Sequence, residues 1–137
     1  MPEINRQSFE QSIPSVDAAL HVKGESVFTN DIPHPKDCLF AAVGWSKKAH
    51  SMIESIDLRK VIKDPDVKVI VTAEDIPGIN DCAIVIKGDP IFIKEKETSN
   101  YFGQPLFAIG CSSRRAALKA VKKAIIKYET LKPIITI

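Results

Sequence analysis

Three turn segments, each beside a short apolar run, constrain the fold of this chain more than any other feature. They are Gly24-Glu-Ser-Val-Phe-Thr-Asn-Asp31, Thr72-Ala-Glu-Asp-Ile-Pro-Gly-Ile-Asn-Asp-Cys82 and Tyr101-Phe-Gly-Gln-Pro-Leu106. Glycine and proline interrupt regular structure, so the apolar runs between these turns are too short for long helices. The turns therefore favour a domain of short strands with a few short helices.

The apolar runs between the turns have the length and composition of strands. Residues 39–45 and 106–111 are almost unbroken apolar runs that predict buried strands, and residues 67–71 are rich in β-branched side chains. Alternation of apolar and charged residues at 126–129 predicts a last strand. Two further strands are predicted at residues 25–29 and 50–56.

Helix signals are fewer than strand signals. Residues 16–22 suit two turns of helix that Gly24 would end, and Asp57 can cap a short helix with one apolar face. The clearest helix follows Ser112 or Ser113, either of which can cap it. The apolar face of the helix after Asp57 is Leu58, Val61 and Ile62, and that of the last helix is Ala117, Ala120, Val121 and Ala124.

A capping box is predicted where the chain turns at Thr72, because Asp75 follows at the required spacing. Strands and helices are mixed along the chain without the regular alternation of a doubly wound fold. We therefore predict an α+β domain with a mixed sheet and a few helices.

The apolar run at residues 83–86 is ambiguous. It suits a core strand of a hairpin with residues 91–93, because both runs flank the turn residues Lys87-Gly-Asp-Pro90. It also suits an exposed apolar wall that faces a neighbouring domain or a planar ligand. The sequence leaves both interpretations open.

Composition indicates one domain and excludes several classes of partner. The 137 residues suit a single domain at 15–137, preceded by a polar, aperiodic tail at 1–14. A net charge of +2 gives no reason to expect nucleic acid or an anionic membrane. No apolar run approaches the roughly 20 residues of a membrane span, and no signal peptide is visible. We therefore expect a cytoplasmic protein.

Residue types that carry chemistry form no recognisable catalytic or metal-binding pattern. Cys38 and Cys111 lie beside apolar runs and are predicted to be buried thiols, whereas Cys82 lies in a polar loop without an obvious cationic partner. The histidines have no patterned carboxylate or serine partner, and no zinc spacing or phosphate-binding glycine motif occurs. We therefore assign no catalytic, cofactor-binding or metal-binding residue.

In order along the chain, these segments resemble the N-terminal α/β-hammerhead domain of the molybdopterin-binding subunit of xanthine dehydrogenase and aldehyde oxidase. The resemblance covers residues 15–137, and the stretch Pro-Gly-Ile-Asn-Asp-Cys is most similar to bacterial xanthine dehydrogenases. The segments that carry it include His21-Val-Lys-Gly24, Phe28-Thr-Asn-Asp-Ile-Pro33, Leu39-Phe-Ala-Ala42, Val71-Thr-Ala-Glu-Asp-Ile-Pro-Gly78, Asn80-Asp-Cys82, Asp89-Pro90 and Gly103-Gln-Pro105.

The resemblance implies a function for a complete enzyme of which this domain is one part. Such an enzyme oxidises hypoxanthine and xanthine with water-derived oxygen and passes electrons to NAD. It uses molybdopterin-bound molybdenum, 2Fe-2S clusters and FAD, none of which we expect this domain to hold. The implied partners are the downstream molybdopterin-binding domains and the FAD and iron–sulfur subunit or domains.

One pair of site residues follows from the same resemblance. Ile84 and Val85 match two apolar residues that line the channel to the molybdenum centre in animal xanthine oxidoreductases. Two alternatives remain for the chain as a whole. It is the same domain of an aldehyde oxidase-type molybdenum hydroxylase, or it is a self-standing, non-catalytic interaction module.

Overall fold

A computed structural model describes residues 15–132, which belong to two compact units that divide between Lys36 and Asp37. The predicted tail at 1–14 and the last five residues of the predicted domain lie outside the described residues. In the first unit, helix α1 (Ala18–Lys23) ends at Gly24, whose φ of 71° is left-handed. This is the predicted end, because glycine adopts that conformation without a steric penalty.

The strand predicted at residues 25–29 is wrong. A short 3-10 helix, Thr29–Asp31, follows an extended Phe28 instead. The Phe28 amide donates a hydrogen bond of 2.9 Å to the Asp31 carboxylate. This local bond satisfies the backbone of the turn, and residues 25–29 pair with no other strand among residues 15–132.

The second unit contains two antiparallel sheets of three strands each. In order, its elements are β1 (Phe40–Trp45), β2 (Ser51–Asp57), α2 (Arg59–Ile62), β3 (Val67–Val71), β4 (Thr98–Ser99), β5 (Pro105–Cys111), α3 (Arg114–Ala120) and β6 (Ile125–Thr130), with 3-10 helices at Ala73–Asp75 and Val121–Lys123. The strand orders are β1-β5-β3 and β4-β2-β6. The α+β class with a few helices is confirmed, and within residues 37–132 the strands form two antiparallel sheets where we predicted a mixed sheet.

Most predicted helix starts are confirmed by their hydrogen bonds. The Ser113 hydroxyl accepts from the Ala116 amide at 3.2 Å, and the Asp75 carboxylate accepts from the Thr72 amide at 2.7 Å. The predicted cap of α2 is displaced by one residue, because Leu58 and not Asp57 is its N-cap; the Asp57 carboxylate still accepts from the Arg59 amide at 3.0 Å. The predicted apolar face of α2 is only partly correct, because Ile62 is exposed.

One core joins both sheets to α3. Strand β5 supplies Leu106, Phe107 and Ile109, and Ile53 reaches the same cluster from β2. The residues of α3 that face this core are Ala117 and Ala120, which are fully buried. Their small side chains let the helix backbone lie close to the sheet, so the predicted face of α3 is confirmed at these two positions.

The two cysteines that we predicted to be buried differ. Cys111 is fully buried at the end of β5, and burial raises the pKa of its thiol. Cys38 is exposed, so that prediction is wrong. Cys38 follows Asp37, which has a positive φ of 69°, in the turn before β1, and its thiol donates to the neighbouring Leu39 carbonyl at 3.7 Å.

We expect Gly44→Ala to destabilise the second unit by about 1–3 kcal/mol. A Cβ at position 44 would overlap the ring of Phe107, which is fully buried, so the ring would have to shift. Chemical denaturation of the 137-residue chain, followed by far-UV circular dichroism, measures the loss. Gly78→Ala is the matched control, because no atom lies within 4 Å of its Cβ position. Equal stability of the two variants would contradict the prediction.

We expect Lys123→Met to lower stability at about pH 7 and to have much less effect at about pH 2.5. The Lys123 ammonium lies 2.7 Å from a carboxylate oxygen of Asp64 and holds the pKa of that carboxyl below its ordinary value. A carboxyl with a lowered folded pKa stabilises the fold above the unfolded pKa and loses this contribution as the pH falls through the folded pKa.

Thermal unfolding of the unmodified chain and of Lys123→Met at the two pH values measures this effect. Lys127→Met removes a lysine of β6 that forms no ion pair within residues 15–132, so it should leave stability almost unchanged at both. A loss for Lys123→Met that is the same at both pH values would be against the prediction.

Candidate functional site

Residues 83–88, which we call the apolar loop, present three consecutive apolar side chains to solvent. Ile84 is 99% exposed, Val85 91% and Ile86 81%. Residues 83–86 form no strand in the part of the chain that the structure describes, so the hairpin-strand interpretation is wrong. The sequence-predicted residues Ile84 and Val85 are therefore adjacent at the tip of an exposed loop.

One carboxylate shapes the apolar loop. The Asp81 oxygens accept hydrogen bonds from the backbone amides of Ala83 at 2.9 Å, Gly88 at 2.8 Å and Asp89 at 3.3 Å. These amides belong to both ends of the loop, so a single side chain holds the ends together. Gly88 has a φ of 121°, a conformation that favours glycine and lets its amide reach Asp81.

A second set of bonds anchors the base of the loop. The side-chain amide of Asn80 donates to the Phe92 carbonyl at 2.7 Å and accepts from the Phe92 amide at 3.0 Å. The Cys82 amide donates to the Asp89 carbonyl at 3.0 Å. The segments on either side of the apolar loop are thus joined as a strand pair would be, although neither is a strand.

Hydrogen bonds and desolvation shift the pKa values of two groups beside the loop, Asp81 and Cys82. Hydrogen bonds from the Ala83 and Gly88 amides lower the pKa of Asp81, so it remains the charged acceptor that the loop requires. Desolvation and the nearby Asp89 carboxylate raise the pKa of the Cys82 thiol. Cys82 is therefore a protonated donor to Asp89, and the structure provides no activated thiolate there.

The apolar loop is suited to apolar contact and not to proton transfer. Its exposed tip carries only aliphatic side chains, and the Asp81 oxygens already bind backbone amides. Within residues 15–132, no group of three or more His, Cys, Asp and Glu side chains is placed to hold a metal ion. Sequence reasoning predicted Ile84 and Val85 as site residues and did not single out Asp81, whose signal is an Asn-Asp pair followed seven residues later by Gly88.

Helices long and apolar enough to cross a membrane are absent from residues 15–132.

Comparison with known proteins places this chain in a family. The family described as "Aldehyde oxidase and xanthine dehydrogenase, a/b hammerhead domain" matches residues 23–132. Xanthine dehydrogenase of Dictyostelium discoideum is 35% identical over 133 residues, which are 97% of this chain and 10% of that protein. Aldehyde oxidase 2 of Macaca fascicularis is 37% identical over 123 residues, which are 90% of this chain and 9% of that protein.

Solved structures have the same fold. The aldehyde oxidoreductase from Desulfovibrio desulfuricans ATCC 27774 gives a TM-score of 0.81 at 25% identity, over 92% of this chain and 15% of that one. The reconstituted CO dehydrogenase from Oligotropha carboxidovorans gives 0.77 at 23% identity, over 90% and 15%. This chain spans about a tenth of the length of the curated relatives that it matches. It belongs to the aldehyde oxidase and xanthine dehydrogenase family and carries the family's a/b hammerhead domain.

Proposed function

We propose that this chain is the hammerhead part of a molybdenum hydroxylase that oxidises hypoxanthine and xanthine, and that the apolar loop walls its substrate channel. The observation that carries the proposal is the exposure of Ile84 and Val85 on a loop held by Asp81. Aliphatic side chains at a channel wall exclude water and pack against a flat ring. In this role the domain positions substrate and is inactive alone.

The cofactors belong to other parts of the complete enzyme in this proposal. Within the described residues 15–132, no group of three or more His, Cys, Asp and Glu side chains is placed to ligate a metal ion. Molybdopterin-bound molybdenum, 2Fe-2S clusters and FAD would supply the redox chemistry, and NAD would accept the electrons. The partners are the molybdopterin-binding domains and the FAD and iron–sulfur subunit or domains.

A second candidate is an aldehyde oxidase-type enzyme with the same hammerhead domain. Relatives named aldehyde oxidase have identities similar to that of the relative named xanthine dehydrogenase, 37% and 35% respectively. We prefer the purine substrate because the Pro77-to-Cys82 turn, immediately before the apolar loop, resembles that of bacterial xanthine dehydrogenases.

Steady-state kinetics of the complete enzyme separate the two candidates. We expect turnover of hypoxanthine and xanthine with NAD as electron acceptor, at a kcat/KM at least roughly tenfold above that for a benzaldehyde-type substrate. Turnover of the aldehyde with none of hypoxanthine would reject the purine substrate and favour the second candidate. Such a result would leave the role of the apolar loop to be tested with the aldehyde.

We expect the double variant Ile84→Ala/Val85→Ala to lower kcat/KM of the complete enzyme roughly tenfold, equal to about 1.4 kcal/mol of transition-state binding. The physical reason is loss of aliphatic surface that packs on the substrate. Both side chains are exposed in the isolated chain, so its thermal midpoint should not change. Ile62→Ala, an exposed isoleucine of α2, is the control.

Asp81→Asn tests whether the shape of the loop matters as well as its side chains. The substitution sets a side-chain NH2 group against one of the backbone amides that Asp81 binds, and it leaves Ile84 and Val85 unchanged. We expect a comparable fall in kcat/KM. If kcat/KM is unchanged in both the double variant and Asp81→Asn, the proposal that the apolar loop walls the substrate channel is wrong.

A further inference from the structure

A second apolar surface lies in the second unit, in a different part of the fold from the apolar loop. It is a groove of about 650 Å³ between the end of β1, the turn before β5, α3 and β6. Three of its side chains are large, apolar and exposed: Trp45 at 50%, Phe102 at 71% and Leu118 at 52%. An exposed apolar concavity of this kind is typical of a binding surface.

The backbone around Phe102 holds the groove in shape. The Gly103 amide donates to the Ser46 carbonyl at 2.8 Å, and the Ser46 amide donates to the Gln104 carbonyl at 2.8 Å. The buried Gln104 side chain accepts from the Asn100 amide at 2.8 Å. These bonds join the turn that contains Phe102 to the residue after β1. The backbone beneath the exposed Phe102 ring is therefore held in place.

The rim of the groove is positively charged and largely without ion pairs. Residues 114–123 contain five cations and no acidic residue. Within residues 37–132 only one of these five, Lys123, forms an ion pair, with Asp64. Lys47 and Lys122 line the groove itself. The other three cations of this segment are Arg114, Arg115 and Lys119.

The shape and charge of the groove define its occupant. Apolar walls and a cationic rim complement a segment whose apolar side chains are flanked by carboxylates. The chain spans 10% of the length of a relative such as the Dictyostelium discoideum xanthine dehydrogenase, so such enzymes contain much polypeptide that could cover this face. A second copy of this chain fits less well, because a twofold contact would bring the two cationic rims together.

We propose that the groove is a docking site for an acidic amphipathic segment of the enzyme part that joins this domain. The groove receives the apolar residues of that segment between Trp45, Phe102 and Leu118. Its carboxylates are received by Lys47 and Lys122 of the groove and by the neighbouring cations of α3. The proposal rests on the contacts and charges of this chain and on the proposed place of this domain in a longer enzyme. It does not depend on the substrate or on the role of the apolar loop.

The fluorescence of Trp45 tests this directly, because it is the one tryptophan of the chain. The probe is a helical peptide of about 16 residues with a leucine stripe and glutamates elsewhere, and its counterpart has lysines in place of the glutamates. We expect saturable binding of the acidic peptide with a blue shift of Trp45 emission. Raising the salt from about 50 to about 500 mM should weaken it severalfold, and the lysine peptide should not bind.

Two variants locate the binding. Leu118→Asp and Lys122→Glu should each weaken the acidic peptide roughly tenfold, because one inserts a charge into the apolar groove and the other reverses a charge in its lining. Both positions are on the surface, and circular dichroism verifies the fold. Ile62→Asp makes a similar change at an exposed isoleucine of α2 outside the groove and should leave binding unchanged.

Several outcomes overturn the proposal. They are no binding of the acidic peptide, equal binding of both peptides, and binding that Leu118→Asp does not weaken. Sedimentation of the chain as a dimer that Leu118→Asp dissociates would assign the groove to a second copy instead. A single-stranded oligothymidylate that shifts Trp45 emission at lower concentration than the acidic peptide would assign it to nucleic acid.

Discussion

The contact between Phe107 and Gly44 is the constraint on which the larger part of this fold depends. The two residues are partners across β1 and β5, and the ring of Phe107 occupies the space that any side chain at position 44 would need. A shift of one residue in this register would place a side chain under the ring and turn the apolar residues of β1 to the opposite face. The contact therefore specifies the register of the central strand as well as filling the core.

Strand β5 transmits this constraint to the rest of the second unit. It pairs with β1 on one side and β3 on the other, and α3 packs against it through alanines. Its first residues follow the turn at Gly103 and Gln104, which is bonded to Ser46 at the end of β1. The positions of Trp45 and Phe102 in the groove are thus a consequence of the same strand pairing that buries Phe107.

Most strands, and the turns and caps whose bonds are local, could be predicted from the sequence, whereas contacts between distant residues could not. Gly24, the Thr72–Asp75 box and Ser113 act within a few residues of their own position, and each was predicted correctly. Residues 25–29 and 83–86 have the composition of strands, but a strand exists only where another strand accepts its bonds. The contact of Gly44 with Phe107 was missed for the same reason, since 63 residues separate them.

The exposure of the apolar loop indicates that another surface covers it. Three aliphatic side chains in water contribute nothing to the stability of this domain, and burying one would contribute roughly 1.5–3 kcal/mol. Yet the charged Asp81 and the side chain of Asn80 join the two ends of the loop through well-formed hydrogen bonds while its tip remains exposed. A polar brace that keeps apolar residues exposed has a physical advantage only when another surface covers them. Such a surface would come from the remainder of a complete enzyme, which is where we propose the substrate and the cofactors lie.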